Sequence, residues 1–284
     1  MNPIAIITDS DASLPPALAS QYGIRQVPIT IHFGSESYTT GVDIDDALVF
    51  EKIDRLNKLP TTSAPSPGAF ALAYEEAFSA GAQSVICICV SSKVSATYAA
   101  ALTARGQFPA RDISVIDSLT LSMGQGFMAL AAAEAVQAGA GKEEAVAAAL
   151  DTGRRVHLYA VLSTLKYLAL SGRVGKFVAG MADTLNIKPV LTVRDGKLDL
   201  LEKIRTRKKA VERMLELTQQ SLDGKGIERL AIIHVNHPQG AAELQEQLCR
   251  LLPCPEQIIT AEFTPGLSVH AGTGIVGLAL VAGK

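Results

Sequence analysis

The 284-residue chain carries 26 basic and 28 acidic side chains, a formal net charge of −2, so no global field favours nucleic acid or an anionic membrane surface. Its length suits two domains of roughly 100 to 200 residues each. The composition is 48% hydrophobic but only 5% aromatic, because helix-forming Ala stretches supply much of the apolar count. The long apolar stretch 126–136 is broken at Glu134, well short of the roughly 20 residues a membrane-spanning helix needs, so no stable membrane insertion is expected.

The N-terminal run lacks a basic leader and reaches Asp9 too early for a signal peptide, which predicts a cytoplasmic protein. Ile4 to Thr8 reads as a buried strand, and Ser13-Leu14-Pro15-Pro16 offers a helix start. Further strands are expected at Arg25 to Phe33, Val85 to Val90 and Ile113 to Ile116. Helices are expected between them, at Ile44 to Leu56, Gly68 to Ser79, Ala96 to Ala104 and Gly126 to Gln137. This alternation predicts a mostly parallel sheet flanked by helices.

A helix from Lys142 to about Arg154 closes the first unit, giving an N-terminal α/β domain over 1–153 and a C-terminal α/β domain over 154–284. In the second, Pro189 to Val193 and Leu198 to Ile204 flank Asp195-Gly196, a tight-hairpin dipeptide, which predicts a mixed or antiparallel sheet. A helix at Lys208 to Ser221, a strand at Leu230 to Val235, a helix at Gln239 to Leu252, a strand at Ile258 to Phe263 and an apolar run at Ile275 to Val281 complete it. Cys87 and Cys89 alternate within a strand-like run while Cys249 and Cys254 flank Pro253; without metal-ligand spacing, all four read as buried small hydrophobes.

Ligands of open α/β sheets collect at the carboxyl ends of the strands, in the cleft such a two-domain fold provides. Hydroxyl-rich clusters follow the apolar runs there: Thr8-Asp9-Ser10, Ser91 to Ser95, Asp117-Ser118 and Ser163-Thr164. A further cluster, Thr61 to Pro67, ends with Ser66 as an N-cap and Pro67 at the first helical position. Hydroxyls and amides beside helix starts suit an anionic head. His270 lies between Pro265-Gly266-Leu267-Ser268-Val269 and Ala271-Gly272-Thr273-Gly274, read as a flexible segment where backbone approaches a ligand; His32, His157, His234 and His237 lack such surroundings.

Two motifs are rejected. Gly272 to Gly277 matches Gly-x-Gly-x-x-Gly, but too little chain follows for the helix and acidic residue of a dinucleotide site. Gly139 to Glu143 lacks the first Gly and the hydroxyl of a phosphate loop. A hydrolase or transferase can be drawn from Ser95, His270 and Asp9 or Asp117, but no Gly-x-Ser-x-Gly elbow occurs. A non-catalytic lipid sensor is a third alternative.

The succession Thr8-Asp9-Ser10, Thr62 to Ser66, Ser91 to Tyr98, Asp117-Ser118, Leu165 to Arg173, Lys188 to Leu191, Lys203 to Thr206 and His270 to Gly274 resembles the DegV family along the whole chain. That resemblance implies fatty-acid binding without independent catalysis. It also implies presentation of the acid to a separate ATP-dependent fatty acid kinase, as in the kinase B-type subunits that feed phospholipid synthesis. Thr62 and Ser95 would hydrogen-bond the carboxylate with His270 beside it. Ser63, Asp9, Ser10 and Thr273 would be head-group neighbours, and Arg205 and His270 would serve kinase docking or phosphotransfer. The tail would enter an apolar tunnel in the second domain, with the fatty acid as ligand and no cofactor. Ala64, Ala96 and Thr273 stand where the family commonly has Gln, Gly and Pro, while the hydroxyl and imidazole positions are kept.

Overall fold

The structure is a computed structural model and describes residues 3–171 and 187–284. The first unit contains β1 (Ile4–Asp9), α1 (Pro16–Gln21), β2 (Ile24–Val27), β3 (Thr30–Phe33), β4 (Glu36–Thr39), α2 (Asp46–Leu56), β5 (Thr61–Ser63) and α3 (Pro67–Ser79). It continues through β6 (Ser84–Cys89), α4 (Thr97–Arg105), β7 (Asp112–Asp117), α5 (Met123–Gln137) and α6 (Lys142–Arg154). The second contains β8 (Val156–Val161), α7 (Lys166–Ser171), β9 (Lys188–Arg194), β10 (Lys197–Ile204) and α8 (Arg207–Leu222). It ends with β11 (Ile227–His234), α9 (Pro238–Leu251), β12 (Ile258–Glu262), α10 (Pro265–Ala271) and β13 (Val276–Ala282).

The fold is two-unit α/β. A parallel sheet of order β2-β1-β6-β7 carries the first unit, and a mixed sheet of order β10-β9-β8-β13-β11-β12 carries the second. Among the described residues of the mixed sheet only β11 and β12 run parallel, joined by the α9 crossover. The hairpin between β9 and β10 turns on Asp195 and Gly196 at φ of 50° and 79°, the paired positive φ that Asp-Gly supplies most readily.

The expected strand Arg25 to Phe33 is in fact two. Pro28 has no N–H to extend the ladder, so β2 stays in the parallel sheet while β3 joins β4 and β5 in a separate antiparallel sheet. Cys249 and Cys254 are also not buried apolar side chains. Cys249 is exposed on the last turn of α9, and the chain folds back through Pro253 to bring the two Cα atoms to 5.3 Å, where the sulfurs form a disulfide. Cys87 and Cys89 are buried as expected. Gly172 and Arg173 lie outside the described residues.

Helix α5 organises the layers. Twelve of its fifteen residues are buried, the mark of a helix enclosed on all sides. It packs against β1 and β6 on one side and β8, β11 and β13 on the other. One apolar cluster therefore runs through both units, while the outer faces of the sheets pack separately under α3 and α4 and under α8 and α9. Two glycines, 200° apart on the helix, make the approach possible. A Cβ on Gly126 would lie 2.9 Å from the Ala12 carbonyl oxygen, and one on Gly124 3.0 Å from Val156 Cγ1 and 2.6 Å from Thr120 Oγ1. Among the described residues no helix is long and apolar enough to cross a membrane.

Helix propensity alone favours Ala over Gly by about 1 kcal/mol. Gly126→Ala is nevertheless expected to lower stability, by about 1 to 3 kcal/mol, because its obstacle is rigid backbone. Urea unfolding checks this; a stabilised Gly126→Ala would show that the close approach to Ala12 is not a constraint.

Candidate functional site

At the carboxyl ends of β1 and β6 a cavity of about 520 Å³ opens between the units, within the usual range of small-molecule sites. Its body is apolar and comes largely from the mixed sheet and its surroundings, including Leu158, Leu162, Leu191, Leu198 and Phe263. Its polar lining gathers residues distant in sequence: Thr62, Ser92, Lys93, Ser95 and His270, with Asp11 beside Gly266.

Thr62 reaches the cavity because side chains alternate along a strand. On β5 it pairs with Ile31, which is fully buried, while Thr61 and Ser63 fall on the opposite, exposed face. There Ser63 Oγ meets His32 Nε2 at 2.8 Å. Thr62 Oγ1 lies 3.0 Å from His270 Nε2, which joins the small sheet to α10.

His270 is not in a flexible segment as the sequence suggests: it occupies the last turn of α10. That helix begins with Pro265 at its first position and ends at Gly272, whose φ of 83° turns the chain toward β13. A Cβ on Gly266 would come within 2.3 Å of Asp11 Oδ1, so glycine there seats α10 against the turn after β1.

Ser95 sits in the turn between β6 and α4, its N–H donating to the Ser91 carbonyl at 3.1 Å. Its hydroxyl lies 2.8 Å from Thr97 Oγ1 and accepts from Thr97 N at 3.3 Å. Nearby, Ser91 Oγ donates to the Gly196 carbonyl at 2.7 Å, tying the β9–β10 hairpin to the first unit.

The other sequence candidates lie elsewhere. Asp9 is fully buried, its Oδ2 accepting from Val90 N at 2.8 Å and Gln125 Nε2 at 3.0 Å, its Oδ1 from Asp11 N at 3.0 Å. Ser10 Oγ accepts from Ile29 N at 3.0 Å, and Thr273 and Arg205 are exposed. Of the carboxylates drawn for a Ser95 and His270 relay, Asp9 is turned to Val90, Gln125 and Asp11, and Asp117 Oδ1 accepts from Ser92 N at 3.0 Å and Leu119 N at 3.1 Å. Ser92 and Lys93 belong to the Ser91 to Ser95 cluster that the sequence singled out, whereas sequence reasoning missed Asp11 and Thr192 in the lining. It also missed the apolar lining, whose residues carry no signal beyond that of ordinary core.

An apolar cavity whose polar lining gathers hydroxyls, an imidazole and the Lys93 side chain suits an amphiphile with a hydrogen-bond-accepting head. The model of the DegV family matches residues 3–283. The chain belongs to the DegV family. Protein DegV of Bacillus subtilis is 33% identical over 277 residues, covering 97% of this chain and 98% of its own. The solved structure of DegV from Bacillus subtilis, a fatty acid binding protein, superposes with a TM-score of 0.87 at 31% identity, covering 99% of both chains. A DegV family protein from Thermus thermophilus, whose structure concerns fatty acid binding, superposes with a TM-score of 0.90 at 31% identity, over 98% of this chain and 99% of that one.

In this DegV family member, burial pushes the Asp9 carboxyl up from 3.8 to about 6, against the opposing effect of the hydrogen bonds from Val90, Gln125 and Asp11. The folded state then binds more protons than the unfolded chain between those values, so this group's contribution to stability falls as pH rises from about 4 to about 6. The stability of the wild type relative to Asp9→Asn should decline over that window and stay level above it. Urea unfolding of both proteins across pH checks this; a difference independent of pH would contradict it.

Proposed function

We propose that this protein binds a long-chain fatty acid between its 1–153 and 154–284 units, with the carboxylate against Thr62, Ser95 and His270. The acyl chain lies along the apolar cavity. The observation that carries the reading is the cavity itself: apolar in its body, with the Thr62–His270 pair and Ser95 on its wall. The fatty acid binding of the Bacillus subtilis and Thermus thermophilus relatives supports it.

The energetics divide between the two ends of the ligand. Burying the fourteen methylenes of palmitate at about 0.8 kcal/mol each contributes about 11 kcal/mol before the cost of association is subtracted. The hydroxyls replace water around the carboxylate and fix its position. Affinity resides in the tail and orientation in the head.

The protein itself performs no catalysis in this reading. A separate ATP-dependent kinase transfers the terminal phosphoryl of ATP to a carboxylate oxygen, giving acyl phosphate and ADP. Thr62 and His270 are only half buried, so the head end is near the surface. Exposed Arg205, followed by exposed Lys208 and Lys209, offers cations to such a partner.

Denaturing the purified protein, extracting with organic solvent and weighing the extract by mass spectrometry should yield about one fatty acid per chain. No lipid, together with no uptake of added palmitate, would overturn the proposal. Thr62→Val and Ser95→Ala should each weaken palmitate binding roughly 10- to 100-fold, the effect of one hydrogen bond to a charged carboxylate, as measured by fluorescence competition. His270→Ala should retain lipid and lose acyl phosphate formation when mixed with the cognate kinase and ATP.

A further inference from the structure

Helix α10, which carries His270, is gripped from two sides. On one, Asp11 occupies the space a side chain at Gly266 would need. On the other, Ser268 Oγ donates to Asp46 Oδ1 at 2.6 Å, linking α10 to the first residue of α2. Both partners are buried, Ser268 at 0% and Asp46 at 4% exposure. A helical serine has a nearer acceptor in the carbonyl four residues back. Here its hydroxyl goes to a carboxyl 222 positions away.

The end of α2 does not require that carboxyl. Asp45 is the N-cap, its side chain accepting from Leu48 N at 2.8 Å. Asp46 Oδ2 is buried without a hydrogen-bond partner among the described residues. Buried polar atoms are normally satisfied, and a half-satisfied carboxyl costs stability. Ser268 lies two residues before His270, whose Nε2 meets Thr62 Oγ1 at 3.0 Å. Asp46, Ser268, His270 and Thr62 thus form one physical chain across α2, α10 and β5.

We infer that Asp46 is a positioning residue of the head-group site, setting through Ser268 the seat of α10 and with it the contact between His270 and Thr62. The inference builds on the fatty-acid reading, but its test needs no ligand. Burial pushes the Asp46 carboxyl up to about 7, with the neighbouring negative charges of Glu262 on β12 and Asp45 adding to the shift. The titratable groups on the other elements packed here are His270 on α10 itself, Asp11 against Gly266, Tyr167 on α7, and His32 on β3, which bonds Ser37 and Ser63. The charge on Asp46 therefore changes near neutral pH, and the carboxylate form takes the stronger hydrogen bond from Ser268.

The experiment is imidazole NMR on the ligand-free full chain labelled with nitrogen-15 histidine, titrated from acidic to alkaline pH. The His270 signals are assigned by their loss in His270→Gln. In the wild type they should follow a second titration besides their own, with its midpoint near that of Asp46. Asp46→Asn, which keeps the side chain's volume and an acceptor for Ser268, should remove that second titration and shift the His270 Nε2 resonance. Ser268→Ala should do the same, and if it fails to fold, Asp46→Asn decides alone. A folded Asp46→Asn whose His270 titration matches the wild type would overturn the inference. Palmitate uptake by the wild type, measured separately, distinguishes failure of the ligand reading from failure of this one.

Discussion

A polar head that enters an apolar cavity gives up its hydrogen bonds to water, and that loss must be offset by donors at the point of entry. The site depends on this constraint. Thr62, Ser95 and His270 come from a short strand, a turn and a seven-residue helix that are distant in sequence, yet all line the same cavity. Each arrives there by its own packing: the pairing of β5 with β3, the tight turn after β6, and the contacts of α10 with Asp11 and Asp46.

The cavity in turn depends on how the two sheets are held. Helix α5, buried on nearly all sides, spaces them, and its glycines permit close approach toward each. Asp9 joins the ends of β1 and β6 to Gln125 of α5 and orients Asp11. The bond from Ser91 to Gly196 brings the β9–β10 hairpin, and Leu198 with it, over the same opening. Most of the polar lining comes from the first unit, with Thr192 and His270 from the second, and most of the apolar wall from the second, with Ile29, Val90 and Leu121 from the first, so neither unit alone would form the site.

Much of this was legible in the sequence, because strand–helix alternation and turn chemistry are local signals. The Asp195-Gly196 hairpin, the Ser66 cap with Pro67, and the hydroxyl clusters at the strand ends are examples. What escaped depended on packing. A three-residue strand is too short to reveal whether Thr62 or Ser63 faces inward; only pairing with buried Ile31 decides it. The helical setting of His270 was signalled by Pro265 at a first-turn position, but a seven-residue helix has too little periodicity to stand out. The break at Pro28 and the pairing of Cys249 with Cys254 require knowing where the chain turns next. The Asp46–Ser268 bond spans most of the chain and has no local signature at all.

The central claim is that Thr62, Ser95 and His270, brought to one cavity wall, hold the head of an amphiphile whose tail fills the cavity. Carbon-13 NMR of palmitate labelled at its carboxyl carbon and bound to the protein observes that head directly. A single bound resonance, displaced by Thr62→Val and by Ser95→Ala but unmoved by Ser63→Ala on the opposite face of β5, is the result the account predicts. A bound resonance indifferent to Thr62 and Ser95, or one that follows Ser63, would contradict it.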